Sequence, residues 1–208
     1  MDYVKDPFEI ETRSFEIITE ELGDKKFDEK EAKIIKRVIH TTADFEYADL
    51  IDIHPNAIEA GINALLKGSY IYADTQMIFG GINKRVLTEL GGTVINLVHD
   101  AEVAKEAKER GITRSMVSIE KAAHDERIKI FAIGNAPTAL FELKRLIEQE
   151  GIKPDLIIGV PVGFVGAKES KDAIVETGIP YIITRGRKGG SPVAAAIINA
   201  LLYMIKRI

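Results

Sequence analysis

The strongest constraint on the fold is a series of five short apolar segments, each followed by a stretch with helical periodicity. Their sequences are "SYIYA", "TVINLV", "IKIFAIG", "DLIIGV" and "YIIT". They are rich in β-branched residues and apolar nearly throughout, which is typical of strands buried on both faces. Five successive βα units predict an α/β fold of three layers, α/β/α, with a five-stranded parallel sheet in the middle.

Additional helices are predicted before the first of these strands. The segments "PFEIETRSFEIITEEL" and "DEKEAKIIKRVIHTT" have helical periodicity, and Asp28 with Glu31 three residues later has the spacing of a capping box. A third helix is predicted in "PNAIEAGINALLKG", with Gly68 at its end. A length of 208 residues suits one α/β domain, which we place at residues 1–208.

Composition narrows the function classes. The formal net charge of -4 argues against a nucleic-acid or anionic-membrane binder. The chain has no cysteine, and its 4 histidines lack the H-x-x-x-H or H-E-x-x-H spacing, so no protein-bound metal is predicted. The sequence also lacks an apolar signal core and any run near the ~20 residues of a membrane span, so a cytoplasmic location is expected.

The segment "TRGRKGGSP" follows the last predicted strand, where ligands of open parallel sheets bind. Gly189 and Gly190 allow a close backbone approach, Ser191 can cap the next helix, and Pro192 suits its first turn. Its basic residues are Arg185, Arg187 and Lys188. One interpretation is a grip for a carboxylate or phosphate; a solvated basic turn at a helix start is the more common explanation of such a motif by itself.

Two further loops are candidates for ligand contacts. In "GVPVGFVGAKESK", Gly163 and Phe164 offer backbone donors beside an apolar wall, and the glycines do not have the order of a nucleotide-binding loop. In "GNAPT", Asn135 precedes a predicted helix start. For each loop taken alone, a simple turn or helix cap is the more common explanation of the residues.

The end of the second predicted helix carries Arg37 and His40 side by side. At about 100° per residue, its isoleucines and valine form one face, and the opposite face holds Lys33, Lys36, Arg37 and His40. His40 is therefore not expected in the core. A solvent-exposed basic face near a helix C-terminus is the alternative to a functional pair.

Four segments together resemble the precorrin-8X methylmutase family, also called cobalt-precorrin-8 methylmutase. They are "RVIHTTADFEYA", "GNAPTALFEL", "GVPVGFVGAKESK" and "TRGRKGGSPVAAAIINAL", and the similarity extends over essentially the entire chain. The resemblance implies an isomerase that moves a methyl group from C11 to C12 of the corrin ring in cobalamin biosynthesis. It also implies a flavodoxin-like fold, a homodimer with sites near the subunit interface, and no cofactor, any cobalt being part of the polycarboxylate corrinoid substrate.

The resemblance assigns His40 as the catalytic residue that protonates the substrate, a role that suits an imidazole near neutral pH. The substrate contacts that it implies are Ser14, Arg37, Arg114, Asn135, Gly163, Phe164, Arg185, Arg187, Lys188, Gly189, Gly190 and Ser191. The sequence "HTTAD" is more similar to the cobalt-dependent branch of the family, which favours cobalt-precorrin-8 as substrate.

Two other functions are alternatives to this enzyme. A non-catalytic tetrapyrrole or corrinoid carrier would use the loops without proton transfer by His40. A nucleotide- or flavin-binding module is the second alternative, and it rests on fold analogy alone.

Overall fold

The computed structural model describes residues 5–206. The strands are β1 (Ile51–Ile53), β2 (Tyr70–Ala73), β3 (Val94–Ile95), β4 (Ile128–Ile133), β5 (Leu156–Gly159) and β6 (Tyr181–Thr184). The helices are α1 (Pro7–Leu22), α2 (Glu29–Thr42), α3 (Tyr47–Leu50), α4 (Ala57–Leu66), α5 (Gln76–Gly81), α6 (Lys84–Glu89), α7 (Ala101–Arg110), α8 (Arg114–Ala123), α9 (Pro137–Glu150), α10 (Ala167–Val175) and α11 (Ser191–Ile205). No helix among these residues is long and apolar enough to cross a membrane.

The strands form one sheet in the order β1-β6-β5-β4-β2-β3. All five predicted strands are present and pair in parallel, so that part of the prediction is confirmed. The predicted number of strands was wrong, because β1 joins the sheet antiparallel to β6, with Ile51 opposite Thr184. A strand of 3 residues with Asp52 at its centre is too short to show a sequence period, and only its pairing with β6 defines it.

Alternating side chains of the parallel strands pack on two layers of helices. In β4, Ile130 and Ala132 join the core under α1, α2, α4, α5 and α11, while Phe131 and Ile133 join the core under α8, α9 and α10. Both faces are therefore covered, as the nearly continuous apolar strands predict. The α/β/α layering is confirmed.

Helix α11 fixes the position of α2. It is apolar on nearly all sides, which is typical of a buried helix, and it packs against α2, α4 and α5. The apolar face of α2 lies on it, with Ile34 and Val38 fully buried. This contact turns the opposite face of α2, including its polar C-terminal end, toward the rim of the molecule.

Two predicted helix starts have different outcomes. Asp28 caps α2, where its Oδ1 accepts a hydrogen bond from the Lys30 amide at 2.9 Å, as predicted. Ser191 does not cap α11: Gly190 takes the N-cap position, and Ser191 is the first helical residue. Gly190 has φ of 125°, a conformation that glycine adopts readily, so the cap moves back by one residue. The hydroxyl of Ser191 lies 2.9 Å from that of Thr75 instead.

Candidate active site

His40 lies in the last turn of α2, and its side chain is exposed, as the helical period predicts. Its ring stacks on the ring of Phe15 from α1, with 5.2 Å between centroids and an interplanar angle of 22°. Helix α2 ends at Thr42 because Ala43 has a left-handed conformation with φ of 52°. One face of the imidazole is therefore held by an aromatic ring while its edge remains open.

Arg37 lies one turn before His40 and is fixed by the same aromatic ring. Its guanidinium carbon is 4.7 Å from the ring centroid of Phe15 and 5.1 Å from that of Tyr203, and its Nη1 donates to Glu11 Oε1 at 2.7 Å. The side chain is only 21% exposed. Cation–π contacts on two rings and a charged hydrogen bond orient the guanidinium beside the imidazole.

His40 and Arg37 border a pocket of about 330 Å³, which we call the His40 pocket. Helices α2, α5 and α11 build it, and its other lining residues are Thr41, Met77, Gly81, Pro192, Ala195, Ala196, Asn199 and Tyr203. A larger cleft of about 870 Å³ adjoins it through Arg37 and Tyr203, with Glu11 and Phe15 of α1 along one side. Such volumes are typical of ligand sites.

Three large apolar side chains, which we call the apolar rim, are exposed at the His40 pocket and on the β5–α10 loop. Phe164 and Val165 at the tip of the β5–α10 loop are 84% and 89% exposed, and Met77 is also exposed. The loop contacts the start of α11, since a Cβ placed on Gly190, the N-cap residue, would lie 3.9 Å from Val162 Cγ1. Large apolar side chains with this degree of exposure are candidates for ligand or protein contacts.

Arg187 is the basic residue of the β6–α11 loop that contacts this rim. Its guanidinium carbon lies 5.5 Å from the ring centroid of Phe164, and its carbonyl accepts a hydrogen bond from the Gly163 amide at 3.1 Å. The structure therefore brings the predicted residues Gly163, Phe164 and Arg187 together. Among residues 5–206, no carboxylate forms an ion pair with Arg187.

The other two basic residues of the loop are paired with carboxylates of the same chain. Lys188 Nζ donates to Asp44 and Glu46, at 2.6 Å each, and this hydrogen bond lowers the pKa of Asp44. Arg185 pairs with Asp172 at 2.9 Å and also with Asp52 of β1. It borders a different cleft, along β1, rather than the His40 pocket. Its predicted contact with substrate stays a prediction.

The β6–α11 loop is held by a buried lysine, which sequence reasoning did not single out. Lys171 of α10 is fully buried, and its Nζ donates to the Lys188 carbonyl at 3.0 Å and to Thr184 Oγ1 at 3.3 Å. Burial lowers the pKa of Lys171 to about 8. The backbone of the loop is equally constrained at Gly189, where φ is 153° and a Cβ would lie 2.1 Å from the Val160 carbonyl oxygen.

The "GNAPT" loop has a partner that sequence reasoning also missed. Asp74, at the end of β2, accepts hydrogen bonds from the amides of Gly134, Asn135 and Ala136 at 2.8 to 2.9 Å. Ala136, not Asn135, is the N-cap residue of α9. The backbone donors that a substrate carboxylate would use in this loop are therefore already occupied.

Ser14 and Arg114 lie in different places relative to His40. Ser14 precedes Phe15 in α1, and its hydroxyl donates to the Ile10 carbonyl at 2.7 Å within the helix. Arg114 is exposed at the start of α8, in the other helical layer. The hydroxyls of Thr113 and Thr138 are 3.1 Å apart, so the starts of α8 and α9 lie together at the carboxyl edge of the sheet.

Comparisons with known proteins agree on one family. The family model for precorrin-8X methylmutase matches residues 9–204. The cobalt-precorrin-8 methylmutase of Leptospira interrogans is 49% identical, covering 94% of this chain and 92% of that protein. That of Priestia megaterium is 47% identical, covering 94% and 87%. The crystal structure of precorrin-8X methyl mutase from Thermus thermophilus superposes with a TM-score of 0.88 at 38% identity, covering 95% of each chain. The chain belongs to the precorrin-8X methylmutase family.

Proposed function

We propose that this chain catalyses the migration of a methyl group from C11 to C12 of precorrin-8, and that the cobalt-containing form is its substrate. The observation that carries the proposal is the pairing of His40 and Arg37 at a pocket on the rim, in a chain that matches the family model over residues 9–204. The names of the Leptospira and Priestia relatives favour the cobalt form.

Each part of the His40 pocket has a task in this reaction. An imidazole with an open edge can deliver a proton to the ring, which weakens the bond that the methyl group leaves, and the resulting neutral imidazole can take a proton back after the shift, so that no proton is gained overall. The guanidinium of Arg37 can exchange Glu11 for a carboxylate arm of the substrate. In the proposed complex, the pocket admits one edge of the macrocycle. The flat face of the macrocycle lies on the exposed side chains of Met77 and Phe164. The protein holds the ring and supplies the proton, and cobalt is part of the substrate.

We also propose a flavodoxin-like classification and a single domain for residues 1–208. Numbered by themselves, the five parallel strands have the order 2-1-3-4-5, which supports the flavodoxin-like assignment, with β1 added at the edge. The single sheet and its two continuous helical layers support one domain. A homodimer is proposed as well, because the family resemblance implies one and exposed Phe164 and Val165 offer it an apolar surface. The cytoplasmic location stays a prediction.

Absorption spectroscopy tests the proposed reaction, because the methyl shift changes the conjugation of the ring. We expect the spectrum of cobalt-precorrin-8 to change with turnover, and metal-free precorrin-8X to react more slowly. Substrate and product have the same mass, so NMR of the extracted ligand must place the methyl group on C12. A carrier would bind the ligand and release it unchanged. A flavin-binding module would instead quench flavin fluorescence, and a nucleotide-binding module would retain added nucleotide. Unchanged spectra with both precorrins would contradict the proposal.

Two arginine variants test whether the substrate binds at the His40 pocket or at the cleft along β1. Arg37→Gln should raise KM by about 10- to 100-fold, because a charged hydrogen bond to a substrate carboxylate contributes ~1.5–3 kcal/mol. Arg185→Gln should change KM by less than about threefold, since Arg185 is held by Asp52 and Asp172. Steady-state kinetics with the preferred precorrin measures both variants. Equal effects of the two substitutions would show that the substrate reaches the β1 cleft.

A further inference from the structure

The crevice between β2 and β4 is the point at which the strand order reverses, with β3 on one side of β2 and β4 on the other. Ligands of open α/β sheets bind at such switch points, often on backbone amides at a helix start. Here the amides belong to Gly134, Asn135 and Ala136, just before α9. Asp74 occupies all of them and is only 3% exposed.

The hydrogen bonds of Asp74 require a carboxylate. Its Oδ1 accepts from Gly134 at 2.9 Å, and its Oδ2 accepts from Asn135 at 2.9 Å and from Ala136 at 2.8 Å. Both oxygens act as acceptors, so an asparagine would place an N–H group against N–H groups. Burial raises the pKa of Asp74, and the amide donors oppose that shift.

This loop is in direct contact with the wall of the His40 pocket. A Cβ on Gly134 would lie 2.8 Å from the Cα and N of Ser191, so the loop packs tightly on the first residue of α11. The next residue, Pro192, lines the pocket. Thr75, the neighbour of Asp74, bonds to Ser191 and caps α5, which carries Met77 into the same pocket. Asp74 lies where these three segments meet.

We propose that Asp74 is a built-in anion that closes the switch-point crevice and, as a positioning residue, sets the wall of the His40 pocket. The carboxylate takes the place that a ligand phosphate would take in a nucleotide-binding sheet of this kind. It also fixes Gly134 against Ser191, and therefore the start of α11 beside α2. The catalytic part of this inference rests on the proposed methyl migration; the closure of the crevice does not.

Chemical rescue tests the proposal. Asp74→Ala removes one carboxylate and leaves a space of matching size, which formate can fill. We expect kcat/KM to fall by about 10- to 100-fold, with most of the loss in kcat, because small displacements of a catalytic site cost rates of this order. Hydrogen exchange of the Gly134, Asn135 and Ala136 amides should accelerate. Added formate should restore both amide protection and kcat in a saturable manner.

Two further variants control this experiment. Asp100→Ala removes a carboxylate with the same local role, because Asp100 accepts from the Glu102 and Val103 amides at the start of α7. Asp100 does not line the His40 pocket, so formate should not change the activity of this variant. Asp74→Asn should lose activity and amide protection without rescue, because its side chain fills the space. It also replaces Asp74→Ala in the test if the alanine variant does not fold.

Specific results would overturn the proposal. One such result is that amide exchange and kcat are both unchanged in either Asp74 variant. Another is that added formate restores the amide protection of Asp74→Ala but not its kcat. If the unmodified protein converts neither precorrin, the proposed function fails separately. In that case, if formate protects the three amides of Asp74→Ala from exchange, closure of the crevice by Asp74 is still supported. If formate gives no such protection, closure of the crevice is overturned as well.

Discussion

His40→Ala lowers kcat by about 10²- to 10⁴-fold and leaves substrate affinity nearly unchanged, which is the expected cost of losing a general acid. In the proposed complex, Arg37 and the exposed apolar side chains bind the substrate, and the substitution does not remove them. Phe15 still holds Arg37 when the imidazole is absent. Single-turnover absorption measurements give the rate of the chemical step, and titration of the variant with substrate gives its affinity.

His54→Ala is the matched control for this substitution. His54 lies in the turn after β1, where its Nδ1 accepts from the Asn56 amide at 3.1 Å and its ring meets the edge of Tyr181. It does not border the His40 pocket, so the control should keep the full rate of methyl migration. A His40→Ala variant that turns over as fast as the control would remove His40 from the mechanism. A variant that loses binding instead would make His40 a substrate contact.

Local periodicity was sufficient for the layers of the fold and for the orientation of α2. The five parallel strands could be predicted because each is apolar on both faces, and His40 could be placed outside the core because its helix has one apolar face. Strand β1 could not be predicted, because Asp52 interrupts a short segment whose partner, β6, lies about 130 residues away. Its existence depends on a long-range contact.

The same limit applied to the charged residues of the candidate site. Sequence reasoning treated Arg185 and Lys188 as free cations because their partners, Asp52 and Asp44, are far away in the chain. It named Asn135 as a substrate contact without recognising that Asp74, which lies 60 positions before Gly134, accepts from the amides of this turn. Residue types and spacing indicate which groups can bind an anion. Only the folded arrangement decides which of them the chain has already satisfied.

Lys171 gives a stability prediction that follows directly from its burial. The pKa of a lysine is 10.5 in the unfolded chain, and burial lowers that of Lys171 to about 8 in the folded protein. Between these values the unfolded chain binds one more proton than the folded protein, so the stability due to Lys171 rises with pH. Relative to Lys171→Met, the unmodified protein should gain roughly 3 kcal/mol in free energy of unfolding between pH 7 and pH 10.5.

Denaturant unfolding at several pH values measures the difference in free energy of unfolding between the unmodified protein and Lys171→Met. Because both proteins contain all other titratable groups, the contributions of those groups cancel in the difference. Lys168→Met is the control, because Lys168 lies on the same helix with an exposed side chain. Its stability curve should stay parallel to that of the unmodified protein. Methionine has nearly the length of lysine, so the cavity term is small. Parallel curves for Lys171→Met as well would mean that the carbonyl of Lys188 and the hydroxyl of Thr184 fully compensate the buried charge.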